Sequence, residues 1–240
     1  MNRFSSAVIL VVVMFVSLVQ GDLFCQLGVL TPATLEGNNP ATGQPWQEGD
    51  QYRLVFITSQ SVVSQTQEAD SISYWNDAVQ DIANNATGAD LSEVEWRVVG
   101  STSDVDARDN TETNPNVVEG EGHAVFAMNG SSVVATNFVA LWDGEVRPER
   151  PEWTESGDHM GDVEEAVVWS LTGTSGDGRA SSRPMAAFAQ IRQGRNADGH
   201  HWVNAGITGA TWQSSSALSV YGMSEPLEIQ GPAGSVIVIE

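Results

Sequence analysis

The stretch from Trp96 to Gly144 constrains the fold more than any other part of this chain. It joins Trp96-Arg-Val-Val-Gly-Ser-Thr102, which reads as a strand, to the polar turn Val105-Asp-Ala-Arg-Asp-Asn-Thr111 and then to the apolar run Ala124-Val-Phe-Ala-Met-Asn-Gly130. Asn129-Gly130, set between Ala124–Met128 and Val133-Val134, is a hairpin signal, because both residues tolerate the positive φ of a tight turn. Phe138 to Trp142 carries the apolar pattern on into Asp143-Gly144.

The flanking segments fit around this stretch. Tyr52-Arg-Leu-Val-Phe-Ile-Thr58 is aromatic and β-branched, and its unbroken apolar centre predicts a strand inside a sheet rather than at its edge. Ile72, Trp75, Val79 and Ile82 recur at helical spacing, with Asp70 or Ser71 to cap the start and Asn84-Asn85 through Gly88 to end the helix. Within it Trp75-Asn76-Asp77 spells a triplet familiar from calcium-binding lectins. At this early helical position Trp75 is expected in the core, with Asn76 and Asp77 facing water. Residues 145–165 form a polar excursion with Trp153 and His159, read as a functional or a mobile loop. Ala166–Leu171 and Ala217–Met223 read as late strands, and Val236–Ile239 as an edge strand or a tail.

Charge limits the partners. Thirty-one Asp and Glu face ten basic residues, every one of them Arg, for a net charge of -21. Such a surface repels phosphate backbones, so nucleic acid is excluded as a partner. Residues 1–21 read as a signal peptide, with Arg3, an apolar run from Ala7 to Val19 and small residues before a cut after Gly21. A secreted protein with no membrane span after cleavage is expected. Cys25 is the only cysteine, so the fold stands without an internal disulfide, and its own role stays open.

The order strand, helix, strand, loops and late strands is α+β. The run Tyr52–Ser59, the helix ending near Asn85, Trp96 to Thr111, Leu141-Trp-Asp-Gly144 and Val168-Trp169 together resemble a group of uncharacterised exported bacterial proteins, many with a PEP-type C-terminal sorting signal. The same layout is similar, more distantly, to the endostatin branch of the C-type-lectin-like fold. The resemblance implies a single domain with a mixed, mostly antiparallel sheet, one main amphipathic helix and long loops. It is expected over residues 51–225, after an extended lead-in at 22–50 and before a C-terminal tail or edge strand at 226–240. Trp96, Arg108, Asn110, Trp142, Asp143, Gly144 and Trp169 are its structural motif. The calcium-dependent sugar motifs of C-type lectins, their paired cysteines and the basic face of endostatin are missing here, so no family site is carried over to this sequence.

Two constellations remain as candidate sites. Asp104, Asp106, Asp109 and Glu112 offer the oxygen ligands calcium requires, although their spacing matches no helix-loop-helix site; the competing reading has them bonding to backbone amides and to Arg108. Trp153, Trp202 and Trp212 lie in loop-rich regions, where exposed rings could stack on sugars or anchor a partner. His200-His201 with His159 or Asp198 forms a poor zinc set, since adjacent histidines on a strand point apart. No nucleophile elbow or zinc-protease motif occurs. The sequence therefore reads as a non-enzymatic recognition or adhesion domain for an extracellular glycan or protein, without a cofactor unless calcium. The alternatives are a calcium- or zinc-dependent hydrolase on the same loops, or a structural matrix component.

Overall fold

The structure, a computed structural model, describes residues 37–64, 66–87, 90–145, 150–160, 168–186, 191–196, 202–204, 218–230 and 235–238. The signal segment, Cys25, Asp198, His200, His201 and Trp212 lie outside the described residues. Among the described residues no helix is long and apolar enough to cross a membrane.

The protein is mixed α+β, built on a seven-stranded sheet that is antiparallel except at one pair. Strand β1 (Gln51–Ile57) lies at its centre, as its apolar run predicts. On one side β1 pairs in parallel with β3 (Ala124–Ala127), which pairs antiparallel with β4 (Val133–Ala135). On the other side it pairs with β7 (Tyr221–Ser224), which in turn carries β2 (Trp96–Val98). A small second sheet pairs β5 (Val168–Leu171) with β6 (Gln193–Asn196). The Asn129-Gly130 turn exists, with Gly130 at φ 68, but in a longer loop where the Asn129 side chain accepts from Ser131 N and Ser132 N.

Beyond β7 the described residues form two more strands. β8 (Leu227–Gln230) pairs with the start of β1, and β9 (Ser235–Val238) pairs with β8. The partner of Val55 is Met223, yet that of Tyr52 is Leu227, so one extra residue is inserted between β7 and β8. This bulge holds Ser224, Glu225 and Pro226, and proline cannot donate to a ladder. Leu54 N consequently donates to the Ser224 side chain at 2.9 Å, and the Ser224 carbonyl accepts from Arg53 at 2.7 Å. The described end of the lead-in is docked: Trp46 meets Tyr52 and Phe126, with ring centroids 6.3 and 6.2 Å away.

Helix α1 (Ile72–Asn84) covers one face of the sheet. Trp75, Val79 and Ile82 are buried there with Tyr52, Leu54, Phe56, Trp96 and Phe126. The helix sits so close to β7 that a Cβ on Gly222 would lie 2.6 Å from both Phe56 Cζ and Val79 Cγ1. Gly222→Ala is therefore expected to cost about 1–3 kcal/mol by forcing helix and sheet apart, a loss that denaturant unfolding would register. The triplet reading needs correcting at one residue. Asp77 is exposed, but Asn76 turns inward, accepts from Val98 N at 2.9 Å and exchanges amide hydrogen bonds with Asn110.

The opposite face, with Val55, Ile57, Val99, Val125, Tyr221 and Met223, is covered by loops and two single-turn helices, α2 (Ala107–Asn110) and α3 (Phe138–Leu141). Single turns carry no periodicity, which is why the sequence showed them only as a turn and an apolar run. Trp142 is buried and donates to Thr113 Oγ1 at 2.9 Å, while Gly178 at φ 80 lets the chain lie against its ring. Asp143 and Gly144 form an exposed turn, where Glu145 N donates to Asp143 Oδ1. Trp169 lies in β5, in register with Arg195.

Candidate functional site

The segment from Arg150 to Met160 takes over the β3 side of β1 where β3 ends. Ile57 N donates to Trp153 O at 3.0 Å, and Ile57 bridges in parallel to Thr154. The segment folds on itself as a miniature hairpin: Trp153 bridges His159, Met160 N donates to Glu152 O, and Gly157 turns at φ 82. Glu155 pins it to the sheet. Its carboxylate is buried and accepts from both the amide and the hydroxyl of Ser59. Of the two sequence readings of 145–165, this part is an ordered loop with its own hydrogen bonds.

Its side chains converge on one corner of the loop-covered face. The Trp153 ring is half-buried and meets the His159 ring edge-on, with centroids 4.9 Å apart. His159 Nε2 lies 3.1 Å from a Glu152 oxygen, and Arg150 lies 3.9 Å from the other. Beside them is Tyr221, fully buried, with the Trp202 ring edge-on at 4.9 Å. Burial raises the Tyr221 phenol pKa far above its usual range; the nearby Ser170 hydroxyl opposes the rise, Glu152 adds to it and Arg150 opposes it.

The buried hydroxyls at this corner are incompletely satisfied. Tyr221 and Ser170 are both 0% exposed and lie beside one another, and among the described residues neither side-chain oxygen makes a hydrogen bond of good geometry. A buried polar atom without a partner costs about 1–3 kcal/mol. Ser170 is placed by β5, which joins the chain ahead of β7 through a bridge to Ser219. Trp202 is held by Thr172 Oγ1, which donates to Val203 O at 2.7 Å, and by Gly194, whose missing side chain leaves room for the Trp202 backbone.

The structure thus brings two of the expected tryptophans to one corner, with unequal exposure. Trp153 is half-buried, whereas Trp202 is only 3% exposed and packs on Tyr221 as part of the core. Trp202 is corrected from an exposed stacking face to a supporting wall, because the close approach at Gly194 draws its backbone in. Ser170, Tyr221, Glu152 and Arg150 were not singled out by sequence, since they come together only through pairing of segments far apart in the chain.

The acidic loop is dispersed rather than convergent. Asp106 caps Ala180 N at 2.7 Å and lies 3.7 Å from Arg108. Asp109 accepts from Asn114 at 2.5 Å, Glu112 pairs with Arg97 at 2.7 Å, and Asp104 is exposed and accepts from Ser103. Four carboxylates with four different partners do not aim at one point. Among the described residues no three His, Cys, Asp or Glu side chains gather as a metal set. Asn110 bonds Val98 O at 2.8 Å and so ties this loop to β2.

Compared with known protein families and with curated proteins, the chain matches none.

Proposed function

We propose that this chain is a secreted, non-enzymatic recognition domain that binds a neutral, polyhydroxylated ligand such as a glycan at the Trp153 corner. The observation that carries the reading is the pair of buried, incompletely satisfied hydroxyls, Tyr221 and Ser170, beside the half-open ring of Trp153. An apolar ring face next to several hydrogen-bonding groups suits a sugar, which offers one apolar face and a rim of hydroxyls. The His159–Glu152 pair adds polar atoms whose positions are fixed by the hairpin. Export rests on the leader at 1–21, and an extracellular glycan or protein is the partner class it implies.

The fold belongs in this reading to the endostatin branch of the C-type-lectin-like group, within a family of exported bacterial proteins. Support comes from the first strand pairing with a late one, the single long helix against the sheet, and the loop-rich second face. The acidic loop is read as structural, so binding is expected to survive chelation.

A polysaccharide panel read by tryptophan fluorescence tests the proposal. Some member should shift the emission of the parent, and Trp153→Ala should weaken that response by about tenfold or more. A panel silent across neutral and acidic polysaccharides would favour a structural matrix role.

A further inference from the structure

A second unusual arrangement lies toward the other end of β1, independent of the Trp153 corner. Arg53 stands in the central strand and is only 4% exposed, yet among the described residues it has no carboxylate within ion-pair distance. This is a conspicuous arrangement in a chain with 31 acidic residues and ten arginines, since buried charges are normally paired. One terminal nitrogen donates to Ser224 O in the bulge, and Nε is buried without a partner. The guanidinium lies over the face of the Phe138 ring, 5.6 Å from its centroid, and His123 meets the same ring edge to face.

The nearby carboxylates are turned elsewhere. Glu95 and Glu112 each hold Arg97 at 2.7 Å, and Glu225 accepts from Glu95 N. Glu112, which pairs with Arg97, is the one non-glycine residue with positive φ among those described, at 54°. Burial lowers the Arg53 pKa to about 10, with Glu112 opposing the fall, Arg97 adding to it, and Glu225 and Glu95 opposing it. Burial, and then Arg53, hold His123 below the ordinary imidazole value, so at neutral pH its ring is uncharged and free to donate from one nitrogen.

We propose that this corner binds a small monocarboxylate, with the Arg53 guanidinium as the floor and Arg97 and His123 at the half-exposed rim. A planar carboxylate matches the guanidinium fork and would satisfy the buried Nε. A doubly charged phosphate or sulfate would meet the field of Glu95, Glu112 and Glu225 at close range. Phe138, 1% exposed and carried on the single-turn helix α3, covers the guanidinium and must move to admit the ligand.

The test is thermal unfolding of the mature chain in acetate, D-glucuronate, phosphate or chloride at constant ionic strength. Acetate or glucuronate should raise the melting temperature over chloride in a saturable way. Equal apparent affinities point to free organic acids, and a much tighter glucuronate to acidic sugars. Arg53→Met should abolish the rise, and Arg53→Lys, which keeps charge but loses the fork, should weaken it by about tenfold. In the unsubstituted protein a slowly exchanging arginine Nε–H resonance should move on the same titration, a readout that survives if a variant does not fold. The proposal is overturned if no carboxylate raises the melting temperature or moves that resonance, if phosphate does so as well as acetate, or if the rise persists in Arg53→Met.

Discussion

Replacing Trp96 by alanine is expected to remove about 3–5 kcal/mol of stability, the range for deleting a large aromatic ring from a packed core. Trp96 is 1% exposed, its ring lies 4.8 Å from that of Phe56, and its indole nitrogen donates to Leu91 O at 3.2 Å. The substitution therefore opens a cavity where β2, β1 and the chain after α1 meet, and leaves a carbonyl without its donor. Small domains are stable by about 5–15 kcal/mol, so this one change could consume much of the total. A shift in the denaturant midpoint with an unchanged slope would measure it. A loss below about 1 kcal/mol would mean the site collapses onto the cavity, contrary to the packing described here.

Asn76→Ala carries the second largest expected effect, about 2–4 kcal/mol, through unsatisfied polar groups rather than lost volume. The Asn76 amide accepts from Val98 N and exchanges two bonds with Asn110, each at 2.9 Å. Removing it orphans a strand amide and half of a partly buried amide pair, and so uncouples helix α1 from β2 and the α2 loop together. Asp77→Ala, one residue along and exposed, should stay within about 0.5 kcal/mol and serves as the control. Similar losses for the two variants would show that the amide network is not what joins helix to sheet.

That pair of neighbours also marks how far the sequence could be read. Periodicity placed Trp75, Val79 and Ile82 in the core, since apolar burial repeats with the helical turn. It could not place Asn76, because a polar side chain at the margin of the apolar stripe turns in only when a specific partner, here Asn110, waits across the sheet. The central strand was legible from its apolar run, yet that run concealed Arg53, whose hydrogen-bond partner Ser224 O lies in a bulge far along the chain. Trp153 and Trp202 looked alike as loop tryptophans, and the close approach at Gly194 made one of them core. The candidate site was thus visible as a loop containing Trp153 and His159, while its buried floor of Tyr221 and Ser170 comes from strands far apart in the chain.

The central claim is that Tyr221 and Ser170 retain buried hydroxyls for a ligand rather than for the fold. The most direct test is the Tyr221→Phe, Ser170→Ala variant, unfolded by heat and then titrated with the polysaccharide panel. The account predicts melting at or above the parent temperature, because two incompletely satisfied oxygens are gone, together with a fluorescence response weakened by about tenfold or more. Melting well below the parent with an unchanged panel response would contradict it, and would make the two hydroxyls part of the scaffold.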